Sequence, residues 1–129
     1  MTFVLDTHVL IWFITDSTRL PRMVLRVLHD PVNRILLSHV CVLEMQIKVQ
    51  TGKLPLPLPL DQIVEAQIRI NGFEELPISL KHIHGLRASP LFHRDPFDRL
   101  LISQAICEQV QLVTADRVMP QYPVSIFWN

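Results

Sequence analysis

The stretch Phe3-Val4-Leu5-Asp6-Thr7-His8 decides the fold of this chain. Three apolar residues run directly into Asp6, and an apolar segment with helical character, residues 8–14, follows at once. A short apolar run of this kind predicts a buried strand. Asp6 would then lie in the turn between a strand and a helix. Because ligands of open α/β sheets bind outside the carboxyl ends of the strands, we ask whether other acids gather beside Asp6.

Strands and helices are predicted to alternate along the rest of the chain. Apolar runs bounded by turn residues predict further strands at residues 34–38, 73–78, 111–114 and 124–128. Helical patterns cover residues 22–29, 40–50, 61–71, 80–87 and 96–108. Alternate prolines predict that residues 54–59 are extended, either as a ligand for a proline-reading domain or, as we favour, as a connector with inward-packed leucines. The alternation predicts an α/β fold with a mostly parallel sheet.

The composition predicts a single domain that spans residues 1–129. Hydrophobic residues make up 49% of the chain and charged residues 19%, an apolar excess which predicts that a partner covers part of the surface. The formal net charge of zero argues against strong nonspecific adhesion to nucleic acid or anionic membranes. Cys41 and Cys107 are expected to be buried free thiols in a reducing, cytoplasmic compartment. Residues 9–14 are too short to span a bilayer, so we expect no membrane segment.

Glu44 lies on the apolar side of its predicted helix. Val40, Leu43 and Ile47 form a stripe with helical spacing, and Glu44 falls on that stripe. A charged group that faces a core is costly unless it is paired or binds a cation. Either a structural ion pair with Lys48 or a functional role explains the position, and the sequence alone leaves both interpretations open.

Asp98 repeats this pattern on the last long helix. It shares an apolar face with Leu101, Ile102 and Ala105. Asp95 stands at the predicted N-cap of that helix, so Asp98 could instead help to cap the backbone N–H groups of the first turn. Taken singly, Asp98 is therefore better explained by capping than by chemistry.

Asp6 and Asp116 each follow an apolar strand, where helix capping or an Asx-turn is the alternative explanation. The case for function is the set of four acids, which can converge on one rim of a parallel sheet. Clustered carboxylates raise each other's pKa and need a counter-cation when ionised. Oxygen ligands favour Mg²⁺ or Mn²⁺ over Zn²⁺, and such ions promote phosphodiester hydrolysis. The six histidines show no zinc-site spacing.

Several stretches, taken in this order, resemble one known family. They are Leu5-Asp6-Thr7-His8-Val9-Leu10-Ile11-Trp12, Ser38-His39-Val40-Cys41-Val42-Leu43-Glu44-Met45, Gly52-Lys53-Leu54, His93-Arg94-Asp95-Pro96-Phe97-Asp98-Arg99-Leu100-Leu101-Ile102-Ser103-Gln104-Ala105, and Leu112-Val113-Thr114-Ala115-Asp116 with Tyr122 beyond. The chain resembles the PIN-domain ribonucleases and, within them, the VapC-like toxins of type II toxin–antitoxin systems.

This resemblance implies a PIN-like three-layer sandwich in which helices flank the central, mostly parallel sheet. It also implies a Mg²⁺-dependent endoribonuclease, with Mn²⁺ as an alternative ion, that acts as a toxin and is inhibited by a cognate VapB-like antitoxin. The residues that match the catalytic, metal-binding acids of the family are Asp6, Glu44, Asp98 and Asp116. The residues that match positions supporting those acids are Thr7, Thr114 and Asp95. The RNA substrate and the residues that bind it are not implied.

Two residues depart from the family pattern. Cys41 stands where a serine commonly precedes the glutamate by three, and His8 replaces a frequent asparagine or serine. The resemblance and the apolar excess also predict a homodimer, with the exposed sides of residues 9–14 or 22–29 as candidate interfaces. The antitoxin is expected to cover the acidic rim with a basic side chain, for which arginine is the natural choice.

Two other functions compete with the nuclease. One is a PIN-like binding module that keeps the fold and has lost catalysis. The other is a Mg²⁺-dependent phosphoacceptor receiver domain, which needs paired acids after the first strand and a lysine after the last. The chain has Asp6-Thr7 after its first strand instead of paired acids, which argues against the receiver.

Overall fold

The computed structural model describes residues 1–128, and its centre is a five-stranded sheet in the order β3-β2-β1-β4-β5. The strands are β1 (Thr2–Leu5), β2 (Arg34–Ser38), β3 (Glu74–Leu76), β4 (Gln111–Val113) and β5 (Ile126–Phe127). All four strand pairings are parallel, which confirms the predicted α/β sandwich. The first strand lies in the middle of the sheet because Phe3, Val4 and Leu5 are apolar enough to be buried on both faces.

Six helices flank the sheet. They are α1 (Thr7–Thr15), α2 (Arg22–His29), α3 (His39–Gln50), α4 (Leu60–Asn71), α5 (Leu80–His84) and α6 (Pro96–Glu108). The helix predicted over residues 80–87 is shorter than expected, since a 3₁₀ turn (Gly85–Ala88) follows α5. Ser103 on α6 donates a hydrogen bond of 2.6 Å to the carbonyl oxygen of His82. That carbonyl would otherwise bind the next turn of an α-helix, so the contact with α6 explains the early end.

The apolar stripe predicted for α3 was wrong. Leu43 and Ile47 are 46% and 39% exposed. The buried residues of the helix are Val40, Cys41, Glu44 and Met45. The face that packs against the strands is therefore rotated from the predicted stripe, and the Cys41 thiol on it donates to the carbonyl oxygen of Leu5 at 3.3 Å. Glu44 is buried as predicted, although Leu43 and Ile47 do not accompany it.

Residues 54–59 contain neither helix nor strand and connect α3 to α4. Leu54 is buried and Leu56 packs against the core, as expected of a connector with inward-packed leucines. Leu58 is 55% exposed, so the inward prediction fails for this residue. Among the helices of residues 1–128, none has both the length and the hydropathy required to cross a bilayer.

Candidate functional site

The acids predicted from the sequence meet at the carboxyl edge of the sheet. Leu5 at the end of β1 is in register with Val113 at the end of β4. Asp6 and Thr114 directly follow these strand ends, and the Thr114 hydroxyl donates to Asp6 Oδ2 at 2.7 Å. The backbone N–H of Asp116 in turn donates to the Thr114 hydroxyl at 3.0 Å. One hydroxyl thus connects two of the four acids. We call Asp6, Glu44, Asp98 and Asp116 the acid site.

Glu44 reaches the same edge from α3 and is 7% exposed. The Thr7 hydroxyl donates to Glu44 Oε1 at 2.9 Å. The Lys48 ammonium lies 3.1 Å from Glu44 Oε2. The ion pair that served as the structural alternative for Glu44 is therefore present, and it coexists with a contact to the residue that follows Asp6.

Asp98 and Asp116 lie on either side of a histidine. The His93 Nε2 atom is 3.1 Å from Asp98 Oδ2 and 2.9 Å from Asp116 Oδ2. These three donor atoms lie within 4.8 Å of one another, a grouping that could hold a metal ion. The structure thus brings together two predicted acids and one residue that was not predicted.

Capping accounts for one acid fully and for a second in part. Asp95 accepts hydrogen bonds from the backbone N–H groups of Phe97 at 2.8 Å and Asp98 at 3.5 Å, as its predicted N-cap position requires. Asp116 Oδ1 accepts from the N–H of Val118 at 2.7 Å, while its Oδ2 faces the histidine. Asp6 occupies the N-cap position of α1 without a side-chain capping bond. Its burial at the strand end is not explained by capping.

The electrostatics of the site differ among the acids. Burial, together with the charges of Asp6 and Asp95, raises the pKa of Asp98 to about 7, against the opposing charge of His93. Burial also raises the pKa of Asp6, although the Thr114 hydroxyl opposes the shift. Burial would raise the pKa of Asp116 as well, but the hydrogen bond with His93 and backbone N–H groups outweigh it and lower the pKa. At neutral pH the folded state therefore holds carboxylates whose ionised form is poorly compensated.

Asp6 Oδ1 is one of two buried side-chain atoms without a hydrogen-bond partner among the described residues, the other being Arg99 Nε. Asp6 is 3% exposed. A buried carboxylate oxygen without a donor is costly in free energy and rare in native proteins. A divalent cation bound by oxygen ligands would satisfy Oδ1 and neutralise the neighbouring acids, so the residues present fit such an ion. No contact in the structure explains Arg99 Nε.

His93 is the residue that the sequence analysis missed, because its distance from Asp116 along the chain matches no metal-ligand spacing. It lies in the loop before α6, and its backbone N–H donates to the Tyr122 hydroxyl at 2.8 Å. Tyr122 is buried and donates to the carbonyl oxygen of Pro90 at 2.8 Å. The pKa of His93 is lowered by burial but raised overall by the hydrogen bond to Asp116 and the charge of Asp98. The sequence feature that could have identified His93 is its position two residues before Asp95, the N-cap of the helix that carries Asp98.

The two departures from the family pattern occupy different environments. Cys41 is fully buried beneath the acid site, and burial raises the pKa of its thiol. Its Sγ donates to the carbonyl oxygen of Leu5 in β1, so the thiol is used inside the core. His8 is exposed and lies against Trp12, with 6.1 Å between the ring centroids. Both cysteines are free, as predicted, but the predicted burial is correct only for Cys41, because Cys107 is half-buried.

Comparison with known proteins independently identifies the same family. The family model that matches is the PIN domain, and the match covers residues 3–124. No curated protein sequence matches the chain significantly.

Solved structures with the same fold include three complexes named VapBC. VapBC2 from Rickettsia felis, bound to a DNA fragment from the promoter, is 21% identical with a TM-score of 0.70, and the alignment covers 100% of both chains. DNA-bound VapBC from Salmonella typhimurium is 18% identical with a TM-score of 0.67, over 98% of this chain and 97% of that one. VapBC-1 from nontypeable Haemophilus influenzae is 16% identical with a TM-score of 0.64, over 98% and 97% respectively. At these identities the likeness concerns the fold.

Proposed function

The chain belongs to the PIN-domain family, and from this premise we propose that it is a metal-dependent endoribonuclease that acts as the toxin of a toxin–antitoxin pair. The observation that carries the proposal is a buried carboxylate oxygen, Asp6 Oδ1, that has no protein partner and belongs to a set of acids whose charges act on one another. A cluster with that much uncompensated negative charge fits a divalent cation better than it fits a structural role.

Asp6, Glu44, Asp98 and Asp116 are the residues that would hold the ion, Mg²⁺ or Mn²⁺. When bound, such an ion supplies a nucleophilic water at neutral pH and stabilises the negative charge that develops on a phosphodiester under attack.

The neighbouring residues position these acids. Thr114 fixes Asp6 by binding Oδ2, which leaves Oδ1 free to face a ligand. Thr7 binds one oxygen of Glu44, and Lys48 lies beside the other. These contacts fix the carboxylates before any ligand arrives, which reduces the entropy lost on binding. Asp95 supports the site indirectly, since it caps the helix that carries Asp98.

The partner and assembly follow from the same premise. Three solved structures with this fold are named as VapBC complexes, and we infer that a small antitoxin covers the acid site here. An antitoxin arginine could pair with the acids in place of the metal, because a guanidinium binds carboxylates through two hydrogen bonds. We further infer that the chain forms one domain and that two copies of it form a homodimer. Val9 and Leu10 are buried in the protomer, so any interface on α1 would use Ile11 to Ile14.

The test is RNA cleavage by the purified chain in Mg²⁺, in Mn²⁺ and in chelator. Cleavage is expected only with a divalent ion, and Asp98→Asn should abolish it. Glu65→Gln is the matched control, since Glu65 is an exposed acid on α4, outside the acid site. Cleavage that persists in chelator would refute the proposal, whereas cleavage that persists in Asp98→Asn would remove Asp98 from the residues that hold the ion. RNA binding without cleavage under every condition would favour the catalytically silent PIN-like module instead.

A further inference from the structure

His93 is held with its imidazole between two acids. Its backbone N–H is bound by the Tyr122 hydroxyl at 2.8 Å, and the same hydroxyl binds the carbonyl oxygen of Pro90. Phe92 packs edge-on against the Tyr122 ring, with 5.2 Å between centroids. Because Tyr122 is 3% exposed, these contacts anchor the loop to a buried residue. The position of the imidazole is therefore built into the fold.

The distances around His93 Nε2 match the spacing of ligands on a metal ion. Neighbouring ligands of an octahedral ion with bonds of about 2.1 Å lie about 3 Å apart. Nε2 lies 2.9 Å from Asp116 Oδ2 and 3.1 Å from Asp98 Oδ2. Asp6, whose charge acts on Asp98, has a buried Oδ1 without a protein partner, which independently points to a cation beside these residues.

The other ring nitrogen, Nδ1, accepts only one long hydrogen bond. His93 Nδ1 faces the backbone N–H of Asp95 at 3.4 Å, which is longer than a normal hydrogen bond. Such a contact does not fix the proton on Nε2. With the ring proton on Nδ1 this one long contact is given up, and Nε2 then presents the lone pair that a metal-binding imidazole must supply.

We propose that His93 Nε2 is a metal ligand alongside Asp98 and Asp116, and that this nitrogen makes the site prefer Mn²⁺ and similar transition-metal ions to Mg²⁺. The inference rests on the proposed function, in which the acid site holds a divalent cation. Imidazole favours transition metals, whereas a set made only of carboxylates and water suits Mg²⁺. The alternative role for His93 is an ion-pair partner that a metal must displace.

The two roles make opposite forecasts for metal binding, which can be measured without RNA. Mn²⁺ binding is followed by electron paramagnetic resonance, and Mg²⁺ binding by its competition with Mn²⁺. As a ligand, His93 should contribute a nitrogen hyperfine coupling to bound Mn²⁺ that changes when the histidines carry ¹⁵N. His93→Gln should remove this coupling and lower Mn²⁺ affinity by at least about tenfold, with a much smaller change for Mg²⁺.

His8→Gln is the matched control, since it removes an exposed imidazole near Asp6 that lies outside the His93 contacts. It should leave both the coupling and the preference for Mn²⁺ unchanged. Tyr122→Phe removes the loop anchor and should reduce Mn²⁺ affinity selectively while the coupling remains. This second variant decides the matter if His93→Gln does not fold, because an unaltered preference for Mn²⁺ in Tyr122→Phe would count against the inference.

Three outcomes separate this inference from the proposed function. Bound Mn²⁺ without a histidine coupling, or tighter metal binding by His93→Gln, would overturn the role of His93 and leave the metal site intact. Absence of any Mn²⁺ binding to the native chain would overturn both. A coupling that disappears in His93→Gln and persists in His8→Gln would establish the ligand.

Discussion

Two polar clusters lie at opposite ends of α6, and each contains a histidine bonded to carboxylates. Near the N-terminal end, His93 contacts Asp98 and Asp116 of the acid site. Near the C-terminal end, His82 Nε2 contacts Glu108 at 2.8 Å, and its Nδ1 accepts from the backbone N–H of Ser79 at 3.0 Å. We call this second cluster the His82 network. It comprises Ser79, Lys81, His82, Gln104 and Glu108.

The clusters differ in how completely their polar groups are satisfied. In the His82 network, Glu108 also binds Lys81 at 2.8 Å, and no buried side-chain atom of this network lacks a partner within the part of the chain that the structure describes. Lys81 and then His82 lower the pKa of Glu108. In the acid site, burial and neighbouring charges raise the pKa of Asp98 to about 7. The pKa of Glu108 is lowered and that of Asp98 is raised, although both lie on α6. The His82 network therefore stabilises the fold, whereas the ionised acid site opposes folding.

The largest expected effect is the loss of cleavage in Asp6→Asn. Removal of a group that only supports a metal ligand costs about 10–100-fold, so loss of an acid that binds the metal should cost more than about 100-fold. In chelator, the same variant should melt at a higher temperature than the native chain, because a neutral amide replaces a buried, unpartnered charge. Mg²⁺ should then stabilise the native chain more than the variant.

Cleavage assays and thermal melting of Asp6→Asn would be compared with Glu108→Gln. Glu108→Gln should lower the melting temperature and leave cleavage per folded molecule unchanged. An Asp6→Asn variant that melts lower in chelator would identify Asp6 as a structural residue and remove the contrast between the two clusters.

The second expected effect is on stability and concerns the two histidines. His82 is 2% exposed. His82→Ala removes the hydrogen-bond partner of the Ser79 N–H and of Glu108, and it also leaves a cavity. We expect a loss of about 2–4 kcal/mol of unfolding free energy, measured by urea denaturation. His93→Ala should cost less than about 1 kcal/mol, since its neighbours are acids that open toward the sheet edge. Equal losses in the two variants would show that both clusters are structural.

A smaller effect concerns the pH dependence of stability in chelator. The pKa of Asp98 is raised from its ordinary 3.8 to about 7, so the folded state binds more protons than the unfolded state between these values. Stability should therefore fall as pH rises from about 4 to 7. The expected fall is about 2 kcal/mol, less than the full equivalent of the shift, because His93 shares the titration.

Glu108 has the opposite sign. Its pKa is lowered, so its contribution is present above the ordinary value of 4.5 and is lost as pH falls through the folded value. Urea denaturation at a series of pH values would give the unfolding free energy as a function of pH, with a falling limb above about pH 5 from Asp98 and a rising limb below it from Glu108. Asp98→Asn should flatten the limb above pH 5 and Glu108→Gln the limb below it. The assignment fails if either variant flattens the other limb.

The smallest expected effect separates Asp95 from Asp98. Asp95 accepts backbone hydrogen bonds at the start of α6, and asparagine caps about as well as aspartate. Asp95→Asn should therefore retain both stability and cleavage, whereas Asp95→Ala should cost about 1 kcal/mol. Melting and cleavage of these variants would be measured beside Asp98→Asn. An inactive Asp95→Asn together with an active Asp98→Asn would reverse the two roles.

The fold was predictable because apolar runs and turn residues alternate so regularly. Phe3, Val4 and Leu5 identify a strand, and Asp95-Pro96 marks the start of α6, both as observed. The stripe on α3 could not be placed by periodicity alone, since α3 is apolar on several sides. The exposure of Leu43 and Ile47 depends on which face of α3 packs against α1, α6 and β2, and that is a tertiary property.

Convergence of the acids and the Lys48 partner of Glu44 could be predicted, but the histidine beside Asp98 and Asp116 could not. Asp6 and Asp116 follow strand ends, and parallel strands bring their carboxyl ends to one edge. His93 escaped prediction because a loop delivers it, and the loop is fixed by Tyr122 from a distant part of the sequence. No spacing rule covers a contact that depends on two loops and a buried hydroxyl.

The unpartnered oxygen of Asp6 also has an evolutionary consequence. A population of sequences selected only for abundance gains from replacing an acid that opposes folding, whereas a population selected for function must keep it. The two selections would therefore drive Asp6 in opposite directions and His82 in the same direction. On the proposed toxin function, recurrent loss of Asp6 under relaxed selection would be a gain in folding as well as an escape from toxicity, so inactive descendants of the gene should accumulate faster than neutral drift alone would produce them.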